Sequence, residues 1–464
     1  MLFGRCRLFS EHRRHVRRIF WMGLAVLITA AALTVAVPVP AMAAEEPPPD
    51  GEVGNVLLVN LENNLPLYEK AADTVIYPAS SVKIMAGLLA CRALGERLDE
   101  EVTVTAAMLA GVEGRRMNPP LADGETFRIR DLLYAAICGG YNDATLVLAY
   151  LTSGSVVAFV EEMNREAERL SASHTRYTNP TGLHDPAMTT TARDVSLIAR
   201  EAYKSKLYMT VASSRTYTVA ATNIAPARTF TNRNSLISDS SLNYYNGYCR
   251  GLNAGMTDEG GWCVVTVCER NGASNLCIVM GGQDVASGEP IPAYVYTNRL
   301  LAWANRTYAY RTVLTGGDVL DTLPVAMTGI SKSKADVVPV GDLKVYLPTD
   351  ADTERDLTYS LVIHDDGLTA PLNPGQTVGS VSVLYRGEVV GKADLTVTEG
   401  FARNGFLVGL MNFRGYLTSR PFFISVAVFA VMLPLYLRAT TGPGGRYGIR
   451  SVKRRRVRYV KRRY

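Results

Sequence analysis

Apolar and polar positions follow three different periods along this chain. From Ile19 to Val37, and again from Pro421 to Leu437, the run is apolar and carries no charge. Between these runs, Val53–Asn60 and Leu65–Tyr68 read as short strands around a turn. Ser80–Leu94 sets Ile84, Leu88 and Cys91 on one helical stripe. Asp131–Tyr150 and Ser155–Leu170 predict two more helices, and Thr191 is a capping position for another that opens Thr191-Ala192-Arg193-Asp194. The texture then changes. Gly251–Met256, Trp262–Glu269 and Asn275–Gly281 read as strands, with Asn271-Gly272 as a tight hairpin turn. A further helix is predicted over Tyr294–Tyr308. Strand, helices, antiparallel sheet and last helix together predict α/β layers. From Thr312 to Thr398 the pattern is short strands and turns, at Asp342–Tyr346, Tyr359–Ile363, Thr377–Tyr385 and Glu388–Thr396. That is a separate β-rich domain of roughly 85 residues, a size able to fold alone.

The ends of the chain explain its charge. The whole carries +6, but six arginines precede residue 44 and eleven Lys or Arg follow residue 437. Residues 44–420 keep 32 basic and 42 acidic side chains, a net −10. Nucleic-acid binding is thereby excluded as the business of the middle, because phosphate affinity needs a basic face. Arg-rich residues 1–18, an apolar run and the exit Ala41-Met42-Ala43 read as a signal peptide over 1–43, cut after Ala43. An uncleaved anchor is the alternative, since the apolar run is long. A Pro-rich linker covers 44–52. Residues 421–437 are long enough for a short transmembrane helix, and the basic tail 438–464 stays cytoplasmic. This puts 44–420 outside the cytoplasmic membrane. The juxtamembrane segment 400–420 mixes Phe401, Phe406, Leu407, Leu410, Met411 and Phe413 with Arg403 and Arg414, as a helix lying on a membrane surface does.

Six cysteines lie in that outer part: Cys91, Cys138, Cys249, Cys263, Cys268 and Cys277. Disulfides are permitted there, and four of the six cluster in 249–277, so one bridge is expected in that region. The pairing itself stays open. No His/Cys spacing suggests a metal, and no cofactor is called for.

The sharpest chemical signal is Pro78-Ala79-Ser80-Ser81-Val82-Lys83. Ser80 and Lys83 stand three apart at a helix start and so share a face. The helix N-terminus favours negative charge developing on the serine oxygen, and a buried amine one turn on can accept its proton. Alone, S-x-x-K is most often a solvated helix start. Here it resembles the active-site serine motif of penicillin-recognising enzymes.

Other stretches extend the likeness in order: Leu132-Leu133-Tyr134 to Asn142-Asp143-Ala144, Met163-Asn164, Asn179-Pro180-Thr181-Gly182-Leu183, Thr191–Asp194, Thr231-Asn232-Arg233-Asn234-Ser235-Leu236, Ala370-Pro371 and Gly375–Gly379. Over about residues 50–400 the chain resembles the low-molecular-mass penicillin-binding proteins, the serine-type D-alanyl-D-alanine carboxypeptidases. The resemblance implies a penicillin-binding-protein/β-lactamase-like sheet with helices on both faces over 53–310, a small all-β domain over 312–399, and one C-terminal transmembrane helix. It also implies an acyl-Ser80 intermediate on peptidoglycan stem peptides ending in D-Ala-D-Ala, with Lys83 as base, Asn142 in the second motif, and β-lactams as inhibitors. The backbone N–H groups of Ser80 and Met256 would form the oxyanion hole.

Two motifs depart from the family. S-x-N reads Gly140-Tyr141-Asn142, so the serine hydroxyl is gone; loss of a general acid–base participant costs ~10²–10⁴-fold. K-T-G reads Asn253-Ala254-Gly255, so the cation and the threonine hydroxyl that would meet substrate are gone. Arg250 sits at an odd offset and is expected on the opposite face of the strand, leaving no obvious replacement cation. Two readings follow: a carboxypeptidase with a re-cut pocket, or an inactive peptidoglycan-binding or scaffold protein on the same fold. A β-lactamase fits less well, because no deacylating Glu is identifiable.

Overall fold

The computed structural model describes residues 46–441, apart from 50, 239–243, 287–288, 330–332 and 365–366. The signal peptide over 1–43, the start of the linker and the tail beyond 441 lie outside the described residues. The chain divides into two compact units, one of residues up to Arg311 plus Val345–Asp356, the other of Thr312–Lys344 and the residues from Leu357 onward.

The first unit is built on a five-stranded antiparallel sheet. Its strands are β1 (Asn55–Asn60), β2 (Pro66–Lys70), β7 (Cys249–Thr257), β8 (Gly261–Arg270) and β9 (Ala273–Gly282), in the order β2-β1-β9-β8-β7. Between them come the short hairpins β3 (Glu101–Thr103) with β4 (Thr126–Arg128) and β5 (Thr216–Val219) with β6 (Arg228–Thr231). All six residues of β1 are buried. Successive side chains of a strand point to opposite faces, so a fully buried strand means both faces are covered. Leu57, Val59, Val265, Val267, Ile278 and Met280 enter one core with α1 (Val82–Leu94). On the alternate positions, Cys277 meets Thr297 of α7 (Pro292–Thr307), which packs on β8 and β9. The double burial is why these antiparallel strands read as nearly continuous apolar runs. Asn271 and Gly272 both take positive φ, 53° and 80°, which is the backbone of the expected hairpin turn.

Two sequence expectations shift here. From Val82 to Cys91 helix α1 is buried on every face, Lys83 included, and so exceeds the single stripe read from Ile84, Leu88 and Cys91; Arg92 and Ala93 in its last turn are exposed. It is ringed by α2 (Ile129–Leu133), α3 (Asn142–Ser153), α4 (Val156–Arg169), α5 (Ala192–Lys204) and α6 (Lys206–Ala212). The predicted helix Asp131–Tyr150 is two: α2 runs on through a wide turn to Cys138, and α3 begins only at Asn142. The break falls at Gly139-Gly140, where Gly140 takes φ +70°. Thr191 caps α5 by accepting from the Asp194 N–H at 3.0 Å.

The expected disulfide is not formed. All six cysteines are free and buried. Cys249 and Cys268 stand opposite each other across β7 and β8, with their thiols hydrogen-bonded rather than joined.

The second unit carries a six-stranded sheet in the order β14-β16-β17-β12-β11-β15. Strands β10 (Tyr308–Leu314) and β13 (Leu343–Pro348) carry the chain across the divisions. The sheet strands are β11 (Asp321–Ala326), β12 (Lys334–Pro339), β14 (Leu357–Ile363), β15 (Leu368–Thr369), β16 (Thr377–Tyr385) and β17 (Glu388–Val397). The alternate residues Val381, Val383 and Tyr385 are buried, as a half-covered strand requires. Two helices follow, α8 (Gly405–Leu417) and α9 (Arg420–Thr441). Of the described residues, α9 is the one single helix long and apolar enough to cross a membrane.

The β5–β6 hairpin leads directly into Arg233, and it is anchored by a buried ion pair. Arg228 Nη2 lies 2.7 Å from Glu125 Oε1, with side chains 3% and 0% exposed. Arg228 Nε and Nη1 have no hydrogen-bond partner among the described residues, so removing the carboxylate strands a buried cation. Glu125→Ala is expected to cost about 3–5 kcal/mol, read as a fall in the thermal unfolding midpoint on the order of 10 °C.

Candidate active site

Ser80 stands on a strained elbow. Pro78 and Ala79 lead into a short 3₁₀ turn over Ala79–Ser81 that runs on as α1. Ala79 takes φ +46°, a left-handed conformation costing an L-residue ~1–2 kcal/mol. Backbone strain of this kind persists only where surrounding contacts over-determine it. The contact here is Gly182: a Cβ on it would lie 2.1 Å from the Ala79 carbonyl oxygen, so no side chain fits. Asn179 shapes that loop. Its Oδ1 accepts from Thr181 N, Thr181 Oγ1 and Gly182 N at 3.1, 2.9 and 2.8 Å, while its Nδ2 donates to Leu183 O at 2.9 Å.

Lys83, on the first turn of α1, is 6% exposed. Its Nζ donates to the Thr181 carbonyl. Burial first, then the charges of Arg233 and Arg115, lower its pKa to about 7. At neutral pH a large fraction of this amine is therefore free base.

The edge strand β7 forms the opposite wall, its outer edge bare of any strand partner among the described residues. Ser80 Oγ donates to Asn253 Oδ1 at 3.0 Å. A Cβ on Gly255 would sit 2.6 Å from Ser80 Oγ, so the floor beside the nucleophile must be glycine. Asn142 Nδ2 donates to Glu113 O at 2.8 Å, and its buried Oδ1 has no partner among the described residues. Asn142 N also donates to Arg115 O at 2.7 Å. Next to it, Asp143 accepts from Met117 N, Leu121 N and Ala144 N at 2.9–3.3 Å. The start of α3 thus pins residues 113–121 against the cleft.

These pieces enclose a cleft of about 150 Å³. Ser80, Lys83, Gly140, Asn142, Asn253, Ala254, Gly255 and Met256, named from the sequence, all line it. Three observations accompany that, the first of them a correction. First, two cations are present at the cleft: Arg233 and Arg115 both line it, and no acidic side chain among the described residues does. Arg233 lay within the Thr231–Leu236 stretch of the family likeness, whereas Arg115 belonged to no motif. Second, Arg250 is absent from the lining; it donates to Gly247 O and Cys249 O and pairs with Glu269 at 3.5 Å. A register shift between Arg250 and Asn253 also breaks simple offset counting along β7. Third, Tyr141 offers no substitute hydroxyl. Its ring packs edge-on against Phe230 at 5.4 Å and under Arg115 at 4.8 Å. Thr181, Gly182 and Leu183 are further wall residues, present in the sequence likeness without a role.

Among the described residues no cluster of His, Cys, Asp or Glu could hold a metal ion. The arrangement suits nucleophilic chemistry: a serine at a helix start, a desolvated amine, and an edge strand beside it.

The comparisons agree with this chemistry. Residues 41–284 match the family model described as D-alanyl-D-alanine carboxypeptidase, and 308–403 match the penicillin-binding protein 5 C-terminal domain. The chain is 23% identical over 368 residues to D-alanyl-D-alanine carboxypeptidase DacF of Bacillus subtilis, covering 78% of this chain and 90% of that protein. It is 24% identical over 375 residues to DacA of Escherichia coli K12, covering 79% and 87%. Its fold is similar to penicillin-binding protein 5 of Haemophilus influenzae, with a TM-score of 0.57 at 24% identity, over 77% of this chain and 100% of that one. The chain belongs to the D-alanyl-D-alanine carboxypeptidase family of low-molecular-mass penicillin-binding proteins.

Proposed function

We propose that this protein is a serine-type D-Ala-D-Ala carboxypeptidase that trims peptidoglycan stem peptides outside the cytoplasmic membrane. The observation that carries the reading is the half-buried Ser80 beside an amine whose pKa is lowered to about 7, in a cleft walled by an edge strand. A peptide can lie along β7 as an added strand, presenting its penultimate D-Ala carbonyl to Ser80. Lys83 takes the Ser80 proton as Oγ attacks that carbon. The tetrahedral oxyanion is held by the backbone N–H groups of Ser80 and Met256, donors that survive the side-chain changes around them. Collapse expels D-alanine, whose amine takes the proton from Lys83, and leaves the acyl-Ser80 ester. Water, deprotonated by the same amine, then hydrolyses it. β-Lactams acylate the same oxygen.

Helix α9 supports attachment to the membrane. The Lys/Arg-rich residues after it support a cytoplasmic tail and an external cleft. A second reading, a non-catalytic wall-binding protein, is favoured by Gly140. Its φ of +70° suits glycine, so the absent hydroxyl is built into the backbone and is not restored by Gly140→Ser alone.

The test is labelling of the full chain in membranes with a fluorescent penicillin. A covalent band is expected, and Ser80→Ala abolishes it. No band at high probe concentration would sink the acyl-enzyme and leave the wall-binding reading.

The acylation rate should also depend on pH through Lys83. Because its pKa is lowered, the reactive neutral amine predominates above about 7 and is lost as pH falls. The rate of penicillin labelling is expected to rise with an inflection near 7 and to drop about tenfold per pH unit below it. An inflection near 10 would show that Lys83 stays charged.

A further inference from the structure

The reaction uses none of the six buried thiols, yet two of them face each other beside the cleft wall. Cys249, the first residue of β7, stands opposite Cys268 on β8. One strand step away, Glu269 N donates to Tyr248 O at 2.9 Å. Tyr248 and Glu269 are therefore the hydrogen-bonded pair of the ladder, and Cys249 with Cys268 is the non-hydrogen-bonded pair that follows. Cα atoms at such positions stand roughly 4.5 Å apart, with their side chains close. Disulfides need a Cα separation of about 4.4–6.8 Å, so this pair closes without moving the backbone far. Cys277 lies opposite Thr266 and is thus diagonal to Cys268. Diagonal neighbours are about 7–8 Å apart, too far for the same bond.

The surroundings make one of the two sulfurs the nucleophile. Asn305 Nδ2, on α7, donates to Cys268 Sγ at 3.8 Å. The hydrogen bond from Cys249, then that of Asn305 and the charges of Arg270 and Arg250, lower the Cys268 thiol against the opposing effect of burial. The same thiol–thiol hydrogen bond, and burial, push Cys249 up. Access comes through the end of the strand. Both thiols are buried, but Cys249 opens an edge strand, its N–H donates to Asn246 O rather than to the sheet, and Tyr248 before it is exposed. Fraying of that one strand end uncovers the pair, and strand ends open at far lower cost than the whole unit.

We propose that Cys249 and Cys268 are a redox couple that closes reversibly to a cross-strand disulfide and so ties the start of β7 to β8. The oxidant is an external disulfide. The Cys268 thiolate attacks one of its sulfurs, forming a mixed disulfide and expelling the first thiolate. Cys249 then gives up its proton, its sulfur attacks Cys268 Sγ, and the second thiolate leaves. Two protein thiols are oxidised, one external disulfide is reduced to two thiols, and the two protons go with them. The bond lies four residues ahead of Asn253, whose Oδ1 accepts from Ser80 Oγ, so it fixes the strand that sets the nucleophile. The proposal goes beyond the hydrolytic reaction and takes from it only the external location, where disulfides persist.

The test holds the full chain, folded in detergent, in buffers running from reduced to oxidised glutathione. Samples are quenched in acid, unfolded with an alkylating reagent, digested and mapped by mass spectrometry. The expected result is one bridge, Cys249 to Cys268, reversed on return to reduced glutathione, with Cys91, Cys138, Cys263 and Cys277 still alkylated. The oxidised protein is expected to unfold about 5 °C higher than the reduced one and to exchange the amide hydrogens of residues 249–257 more slowly. Cys277→Ala should leave these results unchanged, and Cys249→Ala should abolish them. Full alkylation after oxidation, a bridge from Cys268 to Cys277, or a bridge formed only in denaturant would overturn the couple. A bridge that reduced glutathione does not open in the folded protein overturns its reversibility, and an unchanged unfolding midpoint overturns the tying of β7. If Cys249→Ala does not fold, the mapping on the unsubstituted chain carries the same decision. None of these readouts uses penicillin or peptide turnover, so the couple and the carboxypeptidase reading fail separately.

Discussion

The chemistry of this site depends on keeping one amine out of water. Lys83 occupies the first turn of a helix whose residues from Val82 to Cys91 are all buried. An ammonium so placed has lost its hydration, and its hydrogen-bond partner is the neutral Thr181 carbonyl. Desolvation therefore favours the free base, and the nearby guanidinium groups push the same way. A single carboxylate beside it would reverse the balance by stabilising the ammonium. The cleft lining contains none among the described residues. That acid-free lining keeps the base neutral.

Such a cleft has to be assembled from distant stretches brought within hydrogen-bonding range. The elbow at Ala79, the Asn179–Leu183 loop and strand β7 meet at points where no side chain intervenes, at Gly182 and Gly255. Buried polar groups then hold the loops in place. Asn179 organises its own turn through four hydrogen bonds. Asn142 and Asp143 fasten residues 113–121 to the start of α3, which is why Arg115 faces the cleft. Networks of this kind specify one geometry when their members are satisfied. Asn142 Oδ1, unpartnered among the described residues, is the point left open toward the cleft.

Residue order carried much of this in the sequence. The Ser80–Lys83 spacing puts both groups on one helical face, and Asn253–Met256 falls on a strand whose apolar run is unmistakable. The signals that failed were those that look local and are not. Helicity over Asp131–Tyr150 was continuous in pattern, but Gly140 takes a left-handed φ and splits it. Proximity of four cysteines in 249–277 suggested a bridge, while the thiols remain free in the core. Arg250, by contrast, turns away to Glu269, as its offset along β7 implied.

The sequence by itself determined the elements, the nucleophile with its base, and the family, because these rest on periodicity, short-range spacing and the order of motifs. Tertiary structure alone decided which charges surround the nucleophile. Arg115 and Arg233 are far from Ser80 along the chain and from each other. They meet only because an ion pair anchors the β5–β6 hairpin and the start of α3 pins the 113–121 loop. Burial, too, is a property of the packed unit. No local pattern distinguishes a solvated lysine at a helix start from one on a buried helix whose amine is deprived of water.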